Sequence, residues 1–139
     1  MFKIKNYNKS YYNQIINIWE DLGLGSKERG DNNRVIEKTI NSGGKFLVLV
    51  NSDNDEVIGT SWLTNDARRI YLHHFGIKKE YQNKGYAKLL LKASIDYAKE
   101  KKLQIKLEVH RNNLKAIELY KKYGFKKLGD YLIFIIREY

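Results

Sequence analysis

The chain has 139 residues, 42% of them hydrophobic and 13% aromatic, and carries a formal charge of +10. That length sustains one domain around one core, and the composition is that of a folded globular chain. The absence of cysteine excludes disulfides, thiolate metal sites and covalent thiol catalysis, and no run reaches the about 18 apolar residues of a membrane span.

Taken in order, Phe2 to Lys5 alternates as a short first strand, and Ser10 caps a helix through about Leu22. Tyr12, Ile15, Ile16 and Trp19 form the buried face of that helix. The stretch from Gly23 to Gly30 is a loop by composition, and Asp31 or Asn32 caps a second helix through about Ser42. Phe46 to Val50, Val57 to Leu63 and Ile70 to Ile77 read as three strands of an antiparallel meander, joined by turns at Ser52 to Asp55 and Asn65 to Ala67. After Gly85 the period becomes helical, with Ala87, Leu90, Leu91, Ser94, Ile95 and Ala98 on the inner face. Leu103 to His110 alternates as a strand, and Asn112 or Asn113 opens a helix that turns Ala116, Ile117, Tyr120 and Tyr123 inward and closes at Gly124. Tyr131 to Arg137 supplies a last strand. This order predicts an α/β (α+β) domain over 1–139, a mixed sheet covered by helices.

The charge of +10 raises a nucleic-acid reading. The lysines are scattered along the chain, which favours a solvated surface. The first residues lack the apolar core of a signal peptide, so a cytoplasmic protein is expected. His73 and His74 are adjacent on a strand and so point to opposite faces, which argues against a shared metal.

Gln82-Asn83-Lys84-Gly85-Tyr86-Ala87 joins the strand ending at Ile77 to the helix that follows. The first amides of a helix have no internal partner and sit at the positive end of its dipole, so they bind anions wherever a ligand can approach. Glycine removes a Cβ that would obstruct that approach, Ala87 keeps the first turn slim, and Lys84 adds a positive charge. A phosphate or pyrophosphate is the implied ligand. Neither the G-x-x-x-x-G-K-[ST] nor the G-x-G-x-x-G pattern occurs, so neither an NTPase loop nor a dinucleotide fold is supported.

The order strand, Gln-x-x-Gly-x-Ala, helix, strand, then Asn113-x-x-Ala116-Ile117-x-Leu119-Tyr120-x-x-x-Gly124-Phe125 resembles the GNAT N-acetyltransferase superfamily. The likeness is close from Ile70 to Lys127, while the first half agrees in element order. It implies a mixed, mostly antiparallel sheet of about six to seven strands flanked by about four helices. It also implies acetyl-coenzyme A as cosubstrate, no metal, and direct transfer to a primary amine in a ternary complex without a covalent enzyme intermediate. In the family, backbone amides of this loop hold the coenzyme's pyrophosphate, a role that falls here to Gln82, Asn83, Lys84, Gly85, Tyr86 and Ala87. The loop begins with Gln where Arg is commoner and ends with Ala where Gly is common.

Acetyl transfer needs a neutral amine and a proton for the departing thiolate. An alkyl amine with a pKa of about 10.4 costs roughly 4.6 kcal/mol to deprotonate at pH 7, so a base or a water relay to one is useful. By the resemblance Tyr120 is the acid that reaches the coenzyme sulfur, and the alternative is a core tyrosine. Glu108, flanked by Leu107 and Val109, is the first candidate base, expected to be desolvated on a central strand. It stands twelve residues before Tyr120, a spacing similar to the glutamate–tyrosine pair of the bacterial ribosomal-protein N-terminal acetyltransferases. His73 is its rival, in a place where some small-amine acetyltransferases carry a histidine; its ordinary pKa of about 6.5 suits proton transfer.

Gly76 marks a bulge or a close ligand approach in its strand. The resemblance makes Phe75, Gly76 and Ile77 backbone contacts of the pantetheine arm, and Asn113 either a coenzyme contact or an ordinary helix cap. The acceptor site is expected near Trp19 to Asp31, with Trp62 and Asp66 as neighbours and Asp21, Glu28 and Asp31 available to a cationic amine. A small amine and a protein N-terminus both fit, and the basic surface disfavours a strongly cationic partner. No membrane partner is expected, nucleic acid is disfavoured, and the oligomeric state is open, with a homodimer compatible. Two other function classes stay in view: a nucleic-acid-binding module, and a non-catalytic acetyl-coenzyme A sensor.

Overall fold

The computed structural model describes residues 1–139, which separate into two compact units, Met1–Glu108 and Val109–Tyr139. In the first unit the chain runs β1 (Phe2–Asn6), α1 (Tyr12–Leu22), α2 (Asn33–Asn41), β2 (Lys45–Asn51), β3 (Glu56–Asn65), β4 (Arg69–Ile77), α3 (Tyr86–Lys101) and β5 (Gln104–Leu107). The five strands form one sheet in the order β1-β2-β3-β4-β5. All neighbours are antiparallel except β4 and β5, which are parallel because α3 carries the chain back between them. No helix is long and apolar enough to cross a membrane.

The sheet carries helices on both faces. Phe46, Val48, Val50 and Trp62 pack with Ile15, Ile16 and Trp19 of α1 and with Ile36 of α2. The faces alternate along each strand, and the other side receives α3 through Leu90, Leu91, Ser94 and Ala98, all buried. A buried hydrogen bond joins the two layers there: the Ser61 and Ser94 hydroxyls lie 2.6 Å apart, and Ser94 Oγ in turn donates to the Leu90 carbonyl at 2.7 Å.

The inner faces expected for α1 and α3 are those observed, and Asn32 is the cap of α2, its side chain accepting from the Val35 amide at 3.0 Å. The start of α1 differs. Asn8, not Ser10, provides the side-chain cap, and it does so for a 3-10 turn over Lys9–Tyr11 that leads into the helix.

The strand count is five rather than six to seven, for two reasons. β5 covers only Gln104–Leu107 instead of reaching His110, because its ladder with β4 stops at Leu72 and Leu107. Tyr131 to Arg137 forms no strand, and Leu132 and Phe134 stand 77% and 85% exposed. An apolar, strand-prone run becomes a strand only where a neighbouring edge takes its backbone hydrogen bonds.

The second unit contains α4 (Leu114–Lys122), with Tyr120 buried and Ala116, Ile117 and Tyr123 half-buried. Gly124 closes it at φ 99, its amide donating to the Lys121 carbonyl and that of Phe125 to the Tyr120 carbonyl. This is the left-handed stop anticipated for a glycine at that position, and the Tyr120 and Phe125 rings meet edge to face across it.

Candidate active site

The junction of β4 and α3 has the features of an anion cradle. Gly85 is the N-cap of α3 at φ 87 and ψ 1, and no side chain caps the helix. A Cβ placed on Gly85 would meet no atom within 4 Å, so glycine is required by the left-handed backbone, while the space beside it is open. Asn83, at φ 63, is left-handed as well. The Gln82 side chain ties the loop back to the strand that precedes it, its Nε2 donating to the Ile77 carbonyl at 2.8 Å. The Lys84 ammonium lies 5.8 Å from the centre of the Tyr81 ring, and Ala87 is half-buried in the first turn of α3.

A carboxylate from the start of β3 reaches the same loop. Glu56 accepts from Lys78 Nζ at 2.8 Å through one oxygen and from the Tyr81 hydroxyl at 2.7 Å through the other. These contacts, Lys78 first, hold the Glu56 carboxyl below the ordinary carboxylate range. The rings of Phe2, Tyr81 and Tyr86 pack together beside them.

β4 contains a bulge, two residues earlier than Gly76. Trp62 pairs with His73 and Thr60 with Gly76, so Ser61 alone faces both His74 and Phe75. His74 takes up the extra residue at φ 46, in the left-handed region that non-glycine residues rarely occupy. Gly76 itself is in register, and the space a side chain would need there is filled by Leu22 and Leu24.

The bulge overturns the expectation that His73 and His74 point to opposite faces. Both rings lie on the α1 side: His74 meets Trp19 and Trp62 edge to face, and His73 meets Trp62. His74 Nε2 is 3.1 Å from Asp31 Oδ2, which also accepts from the Ser26 amide at 3.0 Å. Gly25 lies so close that a Cβ there would stand 2.1 Å from Asp31 Oδ2. Thr60 Oγ1 donates to the His74 carbonyl at 2.7 Å and accepts from Trp19 Nε1 at 2.9 Å, which pins the bulge to α1. The two histidines and Asp31 do not form a cluster capable of holding a metal ion.

His73 and Glu108 both contact Tyr71. The His73 ring stacks on Tyr71 with centroids 4.2 Å apart, and its Nε2 lies 2.9 Å from Thr64 Oγ1. Burial, reinforced by the neighbouring His74, pushes the His73 pKa down to about 4. Burial first, then a hydrogen bond to Glu108, raises the Tyr71 phenol. Glu108 is not desolvated on a central strand: it is exposed, one residue beyond the end of β5.

Of the remaining acceptor-side candidates, Trp62 stacks on Trp19 at 5.6 Å and donates through Nε1 to Thr39 Oγ1 at 2.8 Å. Asp21 is paired with Lys79 at 3.5 Å on the surface. Asp66 accepts from the amides of Arg69 and Arg68, which lowers its pKa and fixes the β3–β4 turn.

In the second unit, burial raises the Tyr120 phenol to about 12, so it stays protonated throughout the physiological range. Asn113 caps α4, its Oδ1 accepting from the Ala116 amide at 3.3 Å.

Sequence reasoning missed the roles of Glu56, Lys78, Tyr81 and His74. Lys78 and Tyr81 adjoin the loop in sequence, but Glu56 lies 22 and 25 residues away from them and gives no local signal.

The profile described as Acetyltransferase (GNAT) family matches residues 12–125. The chain belongs to this family. Among curated proteins it is similar to a probable spermine N(1)-acetyltransferase of Bacillus subtilis subsp. natto, with 41% identity over 68 residues, 48% of this chain and 45% of that protein. The chain therefore matches less than half the length of that relative. Among solved structures, a GNAT acetyltransferase from Staphylococcus aureus Mu50 superposes with a TM-score of 0.79 at 26% identity, covering 92% of this chain and 85% of the other. A predicted acetyltransferase from Clostridium acetobutylicum, solved with acetyl-CoA, shares the fold at a TM-score of 0.74 and 17% identity, covering 97% and 96%.

Proposed function

We propose that this protein is an N-acetyltransferase, a single catalytic domain over 1–139 that moves the acetyl group of acetyl-coenzyme A directly to a primary amine. The observation that carries the reading is the uncapped start of α3 behind the left-handed Gly85, with open space before its amides. It lies inside the motif that the family uses for the coenzyme's pyrophosphate. The residues fit that group: a diphosphate needs several donors and a positive field, and the first amides of a 16-residue helix with Lys84 beside them supply both.

The rest of the site follows the chemistry. β4 continues to Ile77 after β5 has stopped accompanying it at Leu72, which supports Phe75, Gly76 and Ile77 as the backbone beside the pantetheine arm. The chain has no cysteine to form a thioester, in keeping with direct transfer within a ternary complex. The ammonium form of the acceptor gives one proton to a base, the amine nitrogen bonds to the thioester carbon, and the carbon–sulfur bond breaks. Tyr120, kept protonated, donates its phenolic proton to the departing thiolate and regains one from the acetylated nitrogen, which sheds its second proton on becoming a neutral amide. Glu108, exposed to solvent, takes the amine proton through water, with His73, buried and pushed down to about 4, as its rival.

The acceptor is a small amine rather than a protein N-terminus. The relative named as a probable spermine N(1)-acetyltransferase supports this, while the net charge of +10 works against the most highly charged polyamines. The reading carries with it the expectation of a cytoplasmic enzyme.

The test is thiol release from acetyl-coenzyme A against a panel holding spermine, spermidine, monoamines and a short peptide with a free N-terminus. Turnover with a small amine is expected. Coenzyme binding without turnover of any amine would leave a sensor. Nucleic-acid binding that falls steeply with salt and is indifferent to coenzyme A would leave a binding module.

A further inference from the structure

We infer that Glu56 is a positioning residue for the diphosphate loop, acting through Lys78 and Tyr81. The inference rests on the proposed coenzyme site and extends it to a side chain outside the motif.

The loop conformation needs external support. Asn83 and Gly85 are both left-handed, and the segment before them is a single 3-10 turn, Lys79–Tyr81, too short to hold itself. Its anchors are few and specific. The Lys78 amide donates to the Ile58 carbonyl at 2.7 Å, and the Gln82 side chain returns to Ile77 at 2.8 Å. Between these two points Glu56 holds both ends of the turn at once, one oxygen on Lys78 and the other on Tyr81, at 2.8 and 2.7 Å.

Glu56 is itself fixed. It is the first residue of β3, its amide accepted by Asn54 Oδ1 at 3.1 Å, and its residue pairs with Asn51 of β2. A charge-assisted pair anchored on a strand transmits the strand's rigidity to the loop. Glu80 approaches Lys78 at 3.7 Å but is largely exposed, and it makes no contact with Tyr81 that would replace Glu56. The clamp also neutralises Lys78 locally, so its contribution to a bound diphosphate is geometric more than electrostatic.

The prediction is specific to the ligand's phosphates. Binding of coenzyme A and of pantetheine, which lacks the diphosphate, is measured by calorimetry for wild type, Glu56→Gln, Tyr81→Phe and the double variant. Glu56→Gln should weaken coenzyme A about ten-fold, the order expected for loss of one charged hydrogen bond, and leave pantetheine within about two-fold. Tyr81→Phe removes a single hydroxyl and tests the clamp even where Glu56→Gln folds poorly. It should weaken coenzyme A selectively, and the double variant should lose less than the sum of the two. Equal weakening of both ligands, or unchanged coenzyme A binding by Glu56→Gln and Tyr81→Phe, would overturn the positioning role alone. If wild type bound coenzyme A no better than pantetheine, the diphosphate site itself would fall and Glu56 with it.

Discussion

Gly85 offers a way to separate what the backbone requires from what the ligand requires. At φ 87 and ψ 1 the residue is left-handed, and a Cβ there would touch nothing within 4 Å. Gly85→Ala therefore adds no steric cost in the free protein, only the backbone cost of a left-handed L-residue, about 1–2 kcal/mol. For a domain of this size that lowers Tm by roughly 3–6 °C. Gly85→Asn should cost less, because asparagine tolerates this conformation better than alanine. In the presence of coenzyme the order reverses. The larger asparagine fills more of the space before the α3 amides, and each charged hydrogen bond it displaces is worth about 1.5–3 kcal/mol, so affinity should drop at least about ten-fold. Thermal unfolding and calorimetry with coenzyme A supply the two readouts. Alanine should be the more destabilising change and asparagine the more damaging to binding. Wild-type affinity in Gly85→Asn would refute the assignment of the α3 amides to the diphosphate.

Other consequences can be checked alongside. His73 titrates near 4 when folded and near 6.5 when unfolded, so as pH falls the unfolded chain takes up the proton first. Stability contributed above pH 6.5 should be lost towards pH 4 at about 1.4 kcal/mol per unit at most, and urea titrations of His73→Asn should lack that part of the slope. Ser94→Ala leaves the buried Ser61 hydroxyl without its acceptor and should cost about 1–3 kcal/mol in urea unfolding, while Ser61→Ala added to it should recover part of the loss. Tyr120→Phe keeps the ring and removes the proton donor; thiol release should show kcat reduced about 100-fold with little change in KM for acetyl-coenzyme A.

What the sequence made legible was local. The inner face of α3 follows from apolar spacing, the cap of α2 from Asn32, and the closure of α4 from Gly124. The phosphate loop was readable because glycine at a helix start has a backbone meaning, and the structure adds a left-handed angle to the open space before the amides. Non-local relations were not readable. Gly76 pointed to a bulge in β4, but its place two residues earlier, at His74, is set by the register of β4 against β3. The length of β5 depends on where β4 ceases to pair with it, and exposure of Glu108 follows from that. Apolar content made Tyr131 to Arg137 look like a strand, since composition reports propensity and not the presence of an edge to pair with.

The bulge links these separate features. Thr60 pairs with Gly76 and Gly59 with Ile77, so beyond the bulge the faces of β4 are exchanged relative to an uninterrupted strand. Without the extra residue, His74 would turn towards α3, and Ile77 would leave the side where its Cδ1 meets the space over Gly59 beside Leu90. With it, Ile77 is buried at 6% exposure and His74 joins Asp31 and the two tryptophans. The left-handed histidine costs about 1 kcal/mol, which its bonds to Thr60 and Asp31 can offset. Ile77 then offers its carbonyl to Gln82, and the loop that carries the α3 amides starts from a buried, fixed point. An extra residue in one strand thereby orients both the histidine side of the sheet and the helix terminus proposed to grip the coenzyme.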